Sequence, residues 1–183
     1  LVYWISPNQI NNKFYENLNK VLSFGNVSFF QLRLKRTNNN KIIEVAKKVK
    51  KITSKYKVKL IINDNCFLAL KVKADGCHLG QLDGSIIAAR KILKKKILGI
   101  TCHNSKKLVL NSLKYKANYF ALGSFYKSKL KPKAIKANLS ILKWAKKNTS
   151  KPIVVIGGIN NKNYKKLIKF GAKYIAISSF IWD

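Results

Sequence analysis

Residues 59–101 read KLIINDNCFLALKVKADGCHLGQLDGSIIAARKILKKKILGIT. Three short apolar runs alternate with two amphipathic stretches. KLIIN (59–63), Gly76 to Leu79 and ILGIT (97–101) have the length and branching of strands, while Cys66 to Val72 and Gly84 to Leu93 have helical spacing. Strand–helix–strand units with short connections bring each strand back parallel to the last. The same pattern extends in both directions. Upstream lie a strand at LVYWI (1–5), a helix from Gln9 to Ser23, a strand from Ser28 to Lys35 and a helix from Asn39 to Tyr56. Downstream come a helix from Ser105 to Tyr115, a strand at YFALG (119–123) and a helix from Ala134 to Asn148 carrying Ile135, Leu139, Leu142 and Trp144/Ala145. A strand at IVVIG (153–157), a helix from Asn161 to Phe170 and a strand at YIAIS (174–178) complete the series. Eight strands and seven helices in strict alternation predict an α/β fold, a (β/α)8 TIM barrel, with a doubly wound sheet as the other solution. The barrel is short, since about 250 residues is typical, and the eighth helix is expected to be missing or truncated.

The chain has 183 residues, a size suited to one domain spanning 1–183. Its 47% hydrophobic and 11% aromatic content excludes a disordered basic tail. No apolar run reaches the roughly 18 residues needed to span a bilayer, and the opening residues show no short apolar region with a small-residue cleavage site, so a signal peptide is not expected. Cys66, Cys77 and Cys102 lack framework spacing and read as reduced thiols of a cytoplasmic protein. A zinc site built from them with His78 and His103 lacks any supporting ligand spacing. The formal net charge is +32, from 38 Lys+Arg against 6 Asp+Glu. Arg occurs only at 33, 36 and 90, and Lys is spread through every predicted helix. A dedicated nucleic-acid binder clusters its basic residues and favours Arg, so this charge reads mainly as solvated helix surface.

In a barrel of this kind chemistry sits at the carboxyl ends of the strands. In FFQLRLK (29–35), Phe30, Leu32 and Leu34 alternate with Gln31, Arg33 and Lys35. One face is apolar and packs on helices; the other is predicted to line the barrel, where its cations require an anionic ligand. The third strand ends in Asn63-Asp64, and the fourth runs through HLGQLD to Asp83. Two of only six acids at neighbouring strand ends suit a hard cation such as Mg²⁺, although a single Asp is more often a turn or cap residue. Asp75 falls on the opposite rim and reads as a turn residue. Thr101 places a hydroxyl at the mouth, and the adjacent Cys102-His103 lacks the third group that nucleophilic catalysis needs. Gly157-Gly158 after the seventh strand and Ser178-Ser179 after the eighth suit a phosphate held by backbone N–H groups. The long basic loop Ser124–Pro132 is able to close over an anion.

The ordered set QLRLK, IINDN, ADGCHLGQLD, GITCHN, GSFYKSKLK, VIGGI and ISS resembles the thiamine-phosphate synthase family over nearly the whole chain. The resemblance implies a Mg²⁺-dependent transferase. It joins hydroxymethylpyrimidine diphosphate to thiazole phosphate and releases diphosphate by a dissociative path. Gln31, Arg33 and Lys35 would hold the pyrimidine diphosphate, with Asn63 beside it, Asp64 and Asp83 on the metal and Thr101 near the diphosphate. Lys131 matches the Lys ending the flexible-loop motif, and Arg33, Lys35, Thr101 and Lys131 are the implied catalytic set. Gly158, Ser178 and Ser179 match the thiazole-phosphate site. The family loop typically reads PTxTK, whereas here it is Lys127-Ser128-Lys129-Leu130-Lys131, with Ser128 in place of Thr and Leu130 at a hydroxyl position. The implied partners are the two small-molecule substrates, with no specific nucleic acid and no membrane; a homo-oligomer stays open. The alternatives are a thiazole tautomerase-like barrel, expected to lack the diphosphate and metal set, and a basic nucleic-acid-binding protein.

Overall fold

The computed structural model describes residues 1–11, 13–127 and 134–178. Its strands are β1 (Val2–Ile5), β2 (Val27–Leu32), β3 (Lys59–Asn63), β4 (Gly76–Leu79), β5 (Ile97–His103), β6 (Tyr119–Gly123), β7 (Ile153–Ile156) and β8 (Tyr174–Ile177). Its helices are α1 (Phe14–Ser23), α2 (Asn39–Lys55), α3 (Cys66–Lys71), α4 (Ile86–Leu93), α5 (Lys106–Lys114), α6 (Leu139–Asn148) and α7 (Tyr164–Lys169). All eight strands pair in parallel in chain order, and β8 returns to β1 through Val2↔Ile175, Tyr3↔Ala176 and Trp4↔Ile177. The closed barrel excludes the doubly wound sheet. A helix after β8 would fall on 179–183, outside the described residues. No helix among the described residues is long and apolar enough to cross a membrane.

Side-chain alternation divides the core into two compartments. Phe30, Leu32, Leu60, Ile62, Cys77, Leu79, Leu98 and Ile100 face outward and are buried under the helices. Tyr3, Ile5, Tyr119, Ala121, Val154 and Ala176 fill the barrel, with Phe29 and Tyr174 packed against them. Aromatic rings thus do the filling that branched aliphatics usually do. Phe29 lies 5.3 Å from Tyr3, 5.6 Å from Tyr119 and 5.0 Å from Tyr174, measured between ring centroids. Glycine makes room for them: a Cβ on Gly99 would fall inside the Tyr119 ring.

Several predicted boundaries are corrected. The second strand ends at Leu32, not Lys35, because its register with β3 stops at Leu32↔Ile62. Arg33 and Lys35 therefore stand at the mouth and not inside the barrel; Lys35 is exposed. The helix expected from Gln9 begins at Phe14. Ser6 in the preceding loop accepts the Arg33 backbone N–H at 2.9 Å, tying that segment to the end of β2. The helix expected from Ala134 begins at Leu139, and Ile135 is exposed. There the Ile135 carbonyl accepts from Ser124 N–H and Ala137 N–H donates to the Ser124 carbonyl, so the segment is held against the end of β6. The last helix starts at Tyr164 and not Asn161, since Asn160 and Asn163 close a turn with side-chain bonds of their own. Cys66, Cys77 and Cys102 are free buried thiols.

Candidate active site

The loops after β2, β3 and β4 gather the charged residues. The Lys35 ammonium pairs with the Asp64 carboxylate. Asp64 follows β3 with φ of +65°, a left-handed conformation that Asp tolerates better than most residues, and its N–H donates to the His78 carbonyl at 2.8 Å. Burial pushes the Asp64 carboxyl above its ordinary range, and the Asp83 carboxylate beside it pushes the same way, against the Lys35 ammonium. Asp83 reaches this position through its own turn: one of its oxygens accepts from Gly80 N–H at 2.8 Å. A Cβ at Gly80 would come within 2.5 Å of that oxygen, so a larger residue there would require the Asp83 carboxylate to move. Asp83 is therefore a turn residue and a mouth residue at once.

Arg33 follows the end of β2, two residues before Lys35, and its guanidinium Nη1 donates to Asn8 Oδ1 at 2.9 Å. Asn63 ends β3 in register with His78. Gln31 is buried inside the barrel and donates to the Tyr3 hydroxyl at 3.1 Å. Thr101 is reached from two sides: its hydroxyl lies 2.8 Å from His78 Nε2, and its carbonyl accepts from the Gln81 amide. The Cys102-His103 pair is split between faces. Cys102 is buried in the outer layer, where burial pushes its thiol up to about 12, while His103 is exposed. A thiolate nucleophile is absent there.

Gly158 lies in the loop after β7 with φ of +60°. A Cβ at Gly158 would strike the Lys127 carbonyl, so this glycine lets the loops after β6 and β7 touch. Asn163 clamps it by donating to its carbonyl at 3.0 Å. Ser178 follows β8, half-buried, at the next strand end. Ser128, Lys131 and Ser179 lie outside the described residues.

Sequence reasoning missed Ser6 and Asn8, which hold Arg33, and Gln81, which holds Thr101. It also missed the interior Tyr3, Tyr119 and His78. Their signal was present: each occupies the inward phase of a strand whose neighbouring residues are apolar and point outward. Among the described residues no group of three or more His, Cys, Asp or Glu side chains gathers around one point. Asp64 and Asp83 nevertheless fit a hard cation. They supply two hard oxygens from a pair whose mutual repulsion a cation relieves, and Mg²⁺ commonly takes one or two carboxylates and completes its shell with phosphate and water.

A closed (β/α)8 barrel with Arg, Lys, Asp and Thr gathered at the carboxyl ends of its strands has the layout of a barrel enzyme. The family model for thiamine monophosphate synthase matches residues 2–181. The thiamine-phosphate synthase of Pelagibacter ubique is 54% identical over 184 residues, covering all of this chain and 88% of the relative. That of Saccharophagus degradans is 43% identical, over 82% of this chain and 70% of the relative. The solved thiamine phosphate pyrophosphorylase of Pyrococcus furiosus superposes with a TM-score of 0.87 at 28% identity, covering 97% of this chain and 85% of that one. The chain belongs to the thiamine-phosphate synthase family and is a transferase.

Proposed function

We propose that the protein joins hydroxymethylpyrimidine diphosphate to thiazole phosphate at the mouth formed by β2, β3, β4 and β5. The observation that carries this reading is the cluster of Lys35, Asp64 and Asp83 after three successive strands, with Arg33 two residues before Lys35. The bond from the pyrimidine methylene carbon to the diphosphate oxygen breaks, and its electron pair leaves with the diphosphate. The thiazole nitrogen lone pair then forms the new C–N bond, which makes thiamine phosphate. No covalent enzyme intermediate is required.

Arg33 and Lys35 supply fixed positive charge where negative charge grows on the leaving group, which is electrostatic catalysis at a preorganised site. Asn8 fixes the Arg33 guanidinium, so little reorganisation accompanies the reaction. Asn63 and Thr101 offer neutral donors at the same rim. Asp64 and Asp83 would hold Mg²⁺, which supplies charge neutralisation to the diphosphate. Gly158 and Ser178 follow β7 and β8 and would receive the thiazole phosphate, together with Ser179 and the loop residues Ser128 and Lys131.

The test is turnover with both precursors and Mg²⁺, following thiamine phosphate. Wild type is expected to form product. Asp64→Ala, Asp83→Ala and Arg33→Ala are each expected to lose at least about a hundredfold in kcat/KM, the size of effect seen when one electrostatic donor is removed. Full activity in all three variants would sink the assignment.

A further inference from the structure

A continuous hydrogen-bonded chain crosses the barrel interior beneath the mouth. Gln31 Nε2 donates to the Tyr3 hydroxyl at 3.1 Å. The Tyr3 and Tyr119 hydroxyls lie 2.6 Å apart. The Tyr119 hydroxyl is 3.0 Å from His78 Nδ1, and His78 Nε2 is 2.8 Å from the Thr101 hydroxyl. Four strands contribute to the interior part of this chain, and it ends at a residue placed at the mouth.

Tyr3, Tyr119 and a neutral His78 each carry one proton, and only one direction along the chain places all of them in its hydrogen bonds. The Tyr3 oxygen accepts from Gln31, and the acceptor this chain offers the buried Tyr3 proton is the Tyr119 oxygen. Tyr119 in turn gives its proton to His78 Nδ1. The ring proton of His78 is then on Nε2 and is donated to Thr101. The Thr101 oxygen, having accepted, keeps its own O–H for a partner above it. Burial supports this scheme: it raises the proton affinity of Tyr3 and Tyr119, so both keep their protons, and a His78 ring that accepts at Nδ1 and donates at Nε2 is a neutral tautomer. The reverse direction would leave Thr101 presenting only lone pairs to the mouth, which repels an anion.

We infer that Tyr119 and His78 are positioning residues that make the Thr101 hydroxyl a hydrogen-bond donor to an anionic oxygen, of the diphosphate class, at the barrel mouth. The identity of the ligand rests on the reading of the mouth proposed above; the direction of the chain does not.

The test reads the two separately. The chain has only two histidines, so ¹⁵N spectra of the side chains resolve His78 from His103. Wild type near neutral pH is expected to show His78 with a protonated Nε2 and a bare Nδ1. In Tyr119→Phe that tautomer preference should fade. Affinity for inorganic diphosphate with Mg²⁺, measured by calorimetry, should fall about five- to tenfold, the worth of one hydrogen bond. Thr101→Ser should keep wild-type affinity and Thr101→Val should lose it to the same degree. A protonated Nδ1 in wild type overturns the inference, whether or not the protein turns over its substrates. So does a folded Tyr119→Phe with unchanged tautomer and unchanged affinity. The wild-type spectrum requires no variant, so it decides the direction even where Tyr119→Phe does not fold.

Discussion

Gly99 and Asp75 show how single positions carry the structure. Gly99 leaves the space that the Tyr119 ring occupies. Gly99→Ala should therefore displace Tyr119 and cost about 1–3 kcal/mol, the usual penalty of overpacking, measured as a drop in the urea midpoint. An unchanged midpoint would show that the ring has room to move. Asp75 works on the opposite rim, where its carboxylate takes Lys50 at 2.6 Å and Leu60 N–H at 2.8 Å, with Lys59 at 3.8 Å. Burial pushes this carboxyl up, but the Lys50 ammonium and the Leu60 N–H overcome it and hold the group below its ordinary 3.8. A carboxyl lowered by folding adds stability that is present above the unfolded value and is lost as pH falls through the folded one. Wild type should lose stability below about pH 4 more steeply than Asp75→Asn in urea titrations taken across pH; parallel curves would contradict the pairing. Asp64, Asp83 and Gln31 were readable from the chain because acids are scarce and strand alternation fixes the face. For Tyr3 and Tyr119 alternation shows that they point inward, but nothing in a sequence says which rings meet across a barrel. Arg33 and Lys35 were assigned to the right strand end but the wrong depth, because alternation says which way a residue points and not where pairing stops.

Capped helix starts were read to within two residues at α2, α3, α4 and α5, but not at α6, where the apolar Ile135 drew the expected start ahead of the Asn138 cap. Asn38, Asn65, Ser85, Ser105 and Asn138 each accept a backbone N–H of the first turn. Asn138→Ala should cost about 1 kcal/mol, read from thermal or urea unfolding, and would also free the segment before α6. α1 and α7 lack a side-chain cap, and those starts were misplaced as well. Arg90 on α4 ties neighbouring units together. Its guanidinium donates to the carbonyls of Lys94 and Lys96 through Nη1 and to the Lys116 carbonyl and Asn118 Oδ1 through Nη2. In a chain that places Lys almost everywhere, Arg stands here because a planar fork reaches four acceptors and an ammonium does not. Arg90→Lys should therefore lose about 1.5–3 kcal/mol, with loss of the urea midpoint as the readout, although the charge is kept. A midpoint within error of wild type would refute that account of the fork.

The whole molecule carries +32 on a closed barrel whose cations mostly coat the helices. Self-repulsion of that size should make the fold salt-dependent: raising NaCl from about 0.01 M to about 0.1 M shortens the screening length from about 30 to about 10 Å and should raise the melting temperature. The strand–helix alternation was enough to predict closure because eight parallel units with helices outside leave no edge to cover. The charge total was a poor guide to function. The proposed function rests on the small set at successive strand ends where Lys35 pairs with Asp64 and Asp83 stands beside it. That set is tested most directly by calorimetry of hydroxymethylpyrimidine diphosphate binding, with and without Mg²⁺, to wild type and to Asp64→Asn/Asp83→Asn. Binding that strengthens at least tenfold with Mg²⁺ in wild type, and shows no such gain in the double variant, is the expected result. Equal enhancement by Mg²⁺ in both proteins would contradict the placement of the cation and its diphosphate at this mouth.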